Sequence, residues 1–180
     1  QAICENFKTP VRDKSKDPIM FIARSFDINR PGTEIKNLSG GVLGGALKEG
    51  ILKVNDKVEI RPGLKTTKEG KTFYQPITTE ITGLRTGETS TYEVGPGGSI
   101  GVMTKLDPSI VKSDSLTGNI VGFANKLPKV WYEFYLEPTL LERIVGSDKE
   151  LSVDPIKKGE MLMLNVNSAA TIGTVVELKK

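Results

Sequence analysis

Gly40-Gly41-Val42-Leu43-Gly44-Gly45-Ala46-Leu47-Lys48-Glu49-Gly50-Ile51-Leu52-Lys53-Val54-Asn55-Asp56-Lys57-Val58-Glu59-Ile60-Arg61-Pro62-Gly63 reads as a strand entered through glycines and a tight turn at Lys48-Glu49-Gly50. A second apolar stretch follows, then a turn at Asn55-Asp56 and a strand from Lys57 to Arg61 that Pro62-Gly63 is expected to stop. Turns about half a dozen residues apart leave no room for helices, so the run predicts a small twisted barrel or sandwich.

Working outward, Met20 to Arg24 is an apolar strand, and Ser25 to Ser39 is a long polar excursion of the kind that often carries function. Leu64 to Tyr74, with Lys65, Lys68, Lys71 and a turn at Glu69-Gly70, predicts a basic hairpin or loop projecting from the barrel. Ile77 to Leu84 alternates with a period of two, the pattern of a half-buried strand. Gly95-Pro96-Gly97-Gly98 turns into a strand at Ser99 to Met103, Asp107 to Leu116 is a short helical or irregular connection, and Gly118 to Phe123 closes the sheet.

The expected class is therefore all-β. A barrel of six to eight strands occupies 18–127, and the polar, proline-marked residues 1–17 form a linker. Val130 to Leu136, Met161 to Val166 and Thr171 to Leu178 supply three strands of a second domain over 128–180. Three strands cannot close a barrel, so this second β-barrel is expected to be incomplete. Trp131, Tyr132, Phe134 and Tyr135 read as core and interdomain packing in preference to a base-stacking platform.

Composition limits the chemistry. The 180 residues are 37% hydrophobic and 26% charged, with 19 glycines and 10 prolines, as in a turn-rich globular protein. A net charge of +3 falls far short of bulk electrostatic attraction for nucleic acid, so any such contact has to be local. The lone Cys4 cannot form an internal disulfide, no apolar run approaches a membrane span, and the opening residues carry no signal pattern; the expected location is the cytoplasm. Histidine is absent, which removes the commonest general base and zinc ligand, and the single cysteine removes thiolate clusters.

Gly40 to Gly45 has the glycine spacing of a phosphate-binding loop but continues into Ala46-Leu47, without the lysine and hydroxyl such a loop needs. No G-x-G-x-x-G opens a helix. Glycines 40, 41, 44 and 45 are accounted for by close crossings or bulges in a barrel, and Glu5, Asp13, Asp17 and Asp27 by solvated loops. Asn37-Leu38-Ser39 matches the glycosylation triplet by coincidence. These residues predict a binding platform with no catalytic group, metal or cofactor of its own.

The glycine-rich run also resembles the second domain of translational GTPases, where G-x-V-x-x-G begins the barrel. Arg24-Ser25-Phe26-Asp27-Ile28-Asn29-Arg30-Pro31-Gly32-Thr33 is more specific: it is similar to the R-S-F-D-[IV]-N-[KR]-P-G signature of the gamma subunit of archaeal and eukaryotic translation initiation factor two. The likeness continues through Pro96-Gly97-Gly98, Gly101-Val102, Thr104 to Pro108 and Leu140 to Gly146, and back to Phe7 to Asp13, where the family links its GTPase domain to its second domain. The hairpin at 64–74 and the segment 145–155 look archaeal.

The resemblance covers almost the whole chain and implies a fragment of a longer subunit: the second domain and part of the third, without the GTPase domain. It implies that the parent protein binds GTP and magnesium and, as a heterotrimer with alpha and beta subunits, delivers initiator methionyl-tRNA to the small ribosomal subunit. Beta-subunit and nucleotide binding belong mainly to the absent domain. Alpha-subunit docking is expected on the excursion containing Arg30, Pro31, Gly32, Glu34 and Lys36. By similarity to elongation factor Tu, the tRNA acceptor end is expected near Arg85, pairing with the terminal phosphate, with Gly98 and Ser99 leaving room for the ester. Thr82 stands where the elongation factor has an acidic residue, so the base contact differs. Two other classes remain: a non-catalytic β-barrel interaction module of another translational GTPase, touching only protein partners, and an autonomous enzyme, which the missing acid-base and phosphate-binding residues disfavour.

Overall fold

The structure, a computed structural model, describes residues 2–8, 10–141 and 153–179. The backbone divides into a first unit of residues 1–130 with 167–169, and a second of 131–166 with 170–180. The first contains β1 (Ile19–Phe26), β2 (Val42–Glu49), β3 (Leu52–Lys53), β4 (Lys57–Lys68), β5 (Lys71–Thr86), β6 (Thr89–Thr91), β7 (Glu93–Val94), β8 (Ser99–Thr104) and β9 (Ile120–Phe123).

The expected closed all-β barrel is present. Its strands run in the order β4-β9-β1-β2-β8-β5, and a β4–β5 pairing completes the ring, every pair antiparallel. β6 lies outside the ring against β5, and β3 pairs with β7. Alternation fills the interior: Met20 and Ile22 from β1, Val58 and Ile60 from β4, and Ile100 and Val102 from β8 are buried, while Ser99 and Gly101 face outward. A Cβ on Gly45 would overlap the Phe21 carbonyl oxygen, and one on Gly40 the Thr104 carbonyl oxygen. At those crossings only glycine fits.

β1 outlasts its partner β9, which pairs only with Met20 and Phe21. Residues 114–119 cover the remainder. The Asp114 carboxylate accepts from the Ser25 N–H at 2.9 Å, Ser25 Oγ accepts from the Leu116 N–H at 3.0 Å, and Ile22 exchanges backbone bonds with Gly118 and Asn119. Asp107 caps the short helix Pro108–Val111 just before this segment through the Ser109 N–H, a bond that lowers its pKa.

The strand from Lys57 does not stop at Pro62-Gly63; β4 runs on to Lys68. Its ladder with β5 is interrupted between Ile60 and Leu64, so proline's missing N–H costs no ladder bond there. The Gly63 N–H is satisfied by the buried Asn119 side chain at 2.8 Å. Beyond the interruption β4 and β5 form the expected projecting hairpin, turning at Glu69 and Gly70 with φ +50° and +75°.

Where the chain leaves the barrel it is clasped. Glu59, 5% exposed, accepts from Arg61 Nε at 2.6 Å and from the Asn125 N–H at 2.9 Å, and Arg61 Nη1 donates to the carbonyls of Leu127 and Pro128 at 2.9 and 3.0 Å. Burial pushes the Glu59 carboxyl up, but the hydrogen bonds from Arg61 and Asn125, with the Arg61 charge, hold it below its ordinary value.

In the second unit the described strands are β10 (Met161–Val166) and β11 (Ala169–Thr174), paired with each other. The strand expected at Thr171 to Leu178 thus starts and ends earlier. No strand forms at Val130 to Leu136, and Trp131, Phe134 and Tyr135 are exposed, contrary to the packing expected of them. A strand is held by a neighbour's ladder, and among the described residues none pairs with this segment. Lys179 instead lies over the Tyr135 ring, 4.3 Å from its centroid. Positions 142–146 of the family signature, and most of 145–155, lie outside the described residues.

Candidate functional site

The register of the barrel assembles a row that no sequence interval reveals. Arg24 of β1 stands opposite Gly44 of β2, Gly44 opposite Gly101 of β8, and Gly101 opposite Arg85 of β5. At a strand spacing of about 4.8 Å, the two arginine Cα atoms stand roughly 14 Å apart across the outer face, with two positions between them that carry no side chain. A Cβ on Gly44 would approach Arg24 Cβ at 3.5 Å, and one on Gly101 would approach Arg85 Cβ at 3.9 Å, so these glycines are not forced by close crossings as Gly40 and Gly45 are. The result is a shallow trough with a cation at each end.

Each arginine is braced from its own side of the trough. Arg24 Nε donates to both Asp114 oxygens at 2.8 and 3.0 Å, which raises the guanidinium pKa and lowers that of Asp114. Arg85 Nη2 donates to the Glu88 carbonyl at 3.1 Å, across the turn between β5 and β6. Ser99 lies two places along β8 from Gly101, on the same outward face, opposite Ala46. Gly97 and Gly98 lead into it with φ of +114° and +72°, and the Arg12 side chain lies against Gly97, so that a Cβ there would meet its Cζ at 3.6 Å.

Thr82 is displaced from this face. It sits where the β5–β8 register shifts between Ile81 and Gly83, and it opens onto a separate cleft of about 490 Å³ lined also by Leu38, Ser39, Met103, Lys105 and Asp107. Thr104 fixes the wall of that cleft, donating its hydroxyl to the Gly41 carbonyl at 2.7 Å. Lys105 is held by Glu80 at 2.6 Å. The structure therefore brings Arg85, Gly98 and Ser99 to one face and places Thr82 beside the end of the excursion.

The excursion is a built loop. Asn29 closes it, donating from Nδ2 to the Ser39 carbonyl at 2.8 Å and accepting the Ser39 N–H at 2.7 Å, while Asp27 accepts from Asn29. The Thr33 N–H returns to the Arg30 carbonyl at 3.1 Å around Pro31 and Gly32, whose φ is +84°; proline second and glycine third are what a type II turn requires. Arg30, Glu34 and Lys36 are exposed on it, Lys36 paired with Glu34 at 2.9 Å, and Ile35 is 89% exposed. Among the described residues no cluster of histidine, cysteine and carboxylates is suited to hold a metal ion, and no helix is long and apolar enough to cross a membrane.

Comparison with known proteins fixes what this arrangement belongs to. Residues 40–121 match the family model for elongation factor Tu domain 2, and residues 132–180 match that for the C-terminal part of initiation factor eIF2 gamma. The chain is 49% identical over 179 residues to translation initiation factor 2 subunit gamma of Methanocaldococcus jannaschii, and 51% identical over 180 residues to that of Pyrococcus furiosus. The chain belongs to the translation initiation factor 2 gamma family. The subunit from Thermococcus kodakarensis is likewise 51% identical. These alignments take in 99 to 100% of the chain but 44% of each relative, so the chain spans less than half the length of the gamma subunits it matches.

Sequence reasoning missed Arg24, Gly44 and Arg12 as parts of the candidate face. Arg24 opened the family signature, but only the strand register connects it with Arg85. Leu38, Met103, Lys105 and Asp107 share the cleft with Thr82; Lys105 and Asp107 stood within the family likeness, but nothing in the sequence joined any of the four to Thr82.

Proposed function

We propose that this chain supplies one wall of the acceptor-end site for initiator methionyl-tRNA, and the alpha-subunit docking surface, of a translation initiation factor 2 gamma subunit. The single observation that carries the reading is the trough Arg24–Gly44–Gly101–Arg85. A polyanionic strand needs a cation and a floor low enough for its backbone, and this row offers the floor with the Arg85 charge at one end, while Arg24 at the other shares its charge with Asp114. The family of the relatives gives the strand its identity. Ser99 and the open Gly98 sit along the same face, where an aminoacyl ester has room, and the cleft beside Thr82 is of a size to receive a terminal base.

In this reading residues 18–127 are the second domain and 128–180 belong to the third. GTP and magnesium are held, and GTP is hydrolysed, by a part of the gamma subunit outside this chain, and the work is done in the cytoplasm on the small ribosomal subunit, with the beta subunit engaged through that other part. The chain itself contributes shape and charge and no bond-making group. The closed loop at Arg30, Pro31, Gly32, Glu34, Ile35 and Lys36 presents an apolar centre with charges around it, the make-up of a protein-docking patch.

Arg85→Ala in the full-length subunit, assembled with its partners, is expected to weaken initiator-tRNA binding by roughly tenfold or more, the loss of one charge-assisted contact. An unaltered binding curve at matched salt removes Arg85 and the trough from the tRNA site.

A further inference from the structure

We propose that the hairpin formed by the outer halves of β4 and β5 is a second RNA contact, separate from the acceptor-end trough. Its register puts Lys68 directly opposite Lys71 at the tip, Thr66 opposite Phe73, and Leu64 opposite Gln75, so these six side chains share one face. Lys65, opposite Tyr74, lies on the other.

Two like charges facing each other across an antiparallel pair repel, and here the tight turn at Glu69 and Gly70 holds them together. Among the described residues none of Lys65, Lys68 and Lys71 has an ion-pair partner. An anion lying between Lys68 and Lys71 converts that repulsion into two attractions. Phe73 is 46% exposed and stands two residues from Lys71 on the same face, roughly 7 Å along the strand. That separation matches the reach from a phosphate to its own base, so one nucleotide can pair its phosphate with the lysines and stack its base on Phe73.

An acidic protein would use the same charges but needs a continuous apolar core to bind. Thr66 and Gln75 interrupt the apolar surface of Phe73 and Leu64, and so favour RNA. Lys71 and Arg85 lie near opposite ends of the 16-residue β5, which keeps this contact distinct from the trough. The proposal does not depend on the tRNA reading.

The test is fluorescence anisotropy of a labelled, mixed-sequence single-stranded oligoribonucleotide against the 180-residue chain over a salt series. Lys68→Ala with Lys71→Ala is expected to bind about tenfold more weakly at low salt and to reduce the log–log salt slope by about 0.7, for the one phosphate held between them. Phe73→Ala is expected to lose about fivefold or more with the slope retained. Arg85→Ala controls for the trough, and the proposal requires the lysine effect to persist in its background. Thermal unfolding of each variant confirms a folded barrel; if Phe73→Ala lowers stability, Phe73→Tyr, which keeps the ring, is expected to restore RNA binding. An unchanged slope in the double-lysine variant overturns the proposal, and so does competition by polyglutamate as effective as by unlabelled RNA, which would make the partner an acidic protein.

Discussion

At the residue scale the sharpest case is Glu59, a carboxylate buried in a barrel wall and kept charged. Desolvation opposes its ionisation, but Arg61 Nε, the Asn125 N–H and the Arg61 charge outweigh it, so the folded pKa lies below the ordinary 4.5. A depressed folded pKa gives stability that is fully present above the unfolded value and is lost as pH falls through the folded one. Urea denaturation of Glu59→Gln is therefore expected to show a deficit near neutral pH that narrows once pH drops below about 4.5. A deficit constant from neutral pH to acid would show that the charge does not matter. The glycines divide at the same scale. Gly40 and Gly45 are demanded by carbonyl oxygens that leave no space for a Cβ, while a Cβ on Gly44 or Gly101 would make only ordinary contacts, at 3.5 and 3.9 Å. Nothing in the sequence separates the two kinds, because the difference lies in what crosses each position.

Among elements, the β4–β5 hairpin shows how local chemistry sets register. Both turn residues have positive φ, the geometry of a type I′ turn, for which asparagine followed by glycine is the favoured pair. Glu69→Asn is expected to stabilise the hairpin by a few tenths to about 1 kcal/mol, read as slower amide exchange across Thr66 and Phe73. Unchanged or faster exchange would mean that Glu69 contributes something its backbone angle does not reveal. The turn itself was legible, since Glu-Gly lies between runs of strand-forming residues; the length of β4 was not. Pro62-Gly63 reads as a stop because proline donates no hydrogen bond, yet an interrupted ladder and the Asn119 side chain remove the need for one. The aromatic run at Val130 to Leu136 misleads for the converse reason: β-propensity describes fitness for a pleated surface and supplies no partner.

For the molecule as a whole, strand alternation and turn spacing made the closed barrel readable, and the family signature announced the excursion. The trough was not readable, because it arises from four strands brought level by the registers of three separate ladders. The built loop on that barrel carries the proposal of alpha-subunit docking. Reversing charge at Arg30 and Lys36 in the full-length gamma subunit is expected to weaken alpha-subunit association by about tenfold in calorimetry. Lys36→Glu adds to the effect by facing Glu34, its present partner at 2.9 Å. An unchanged dissociation constant would move the docking surface elsewhere. Closure has one more consequence, for life in a crowded cell. A ring of strands offers neighbours no seam to zip onto, and among the described residues of this unit the longest flank outside the ring is the projecting β4–β5 hairpin, which carries Lys65, Lys68 and Lys71, while β6 is three residues long. A brief edge and a lysine-studded one are both poor templates for another chain to grow upon, which guards the barrel against edge-to-edge pairing with its own copies.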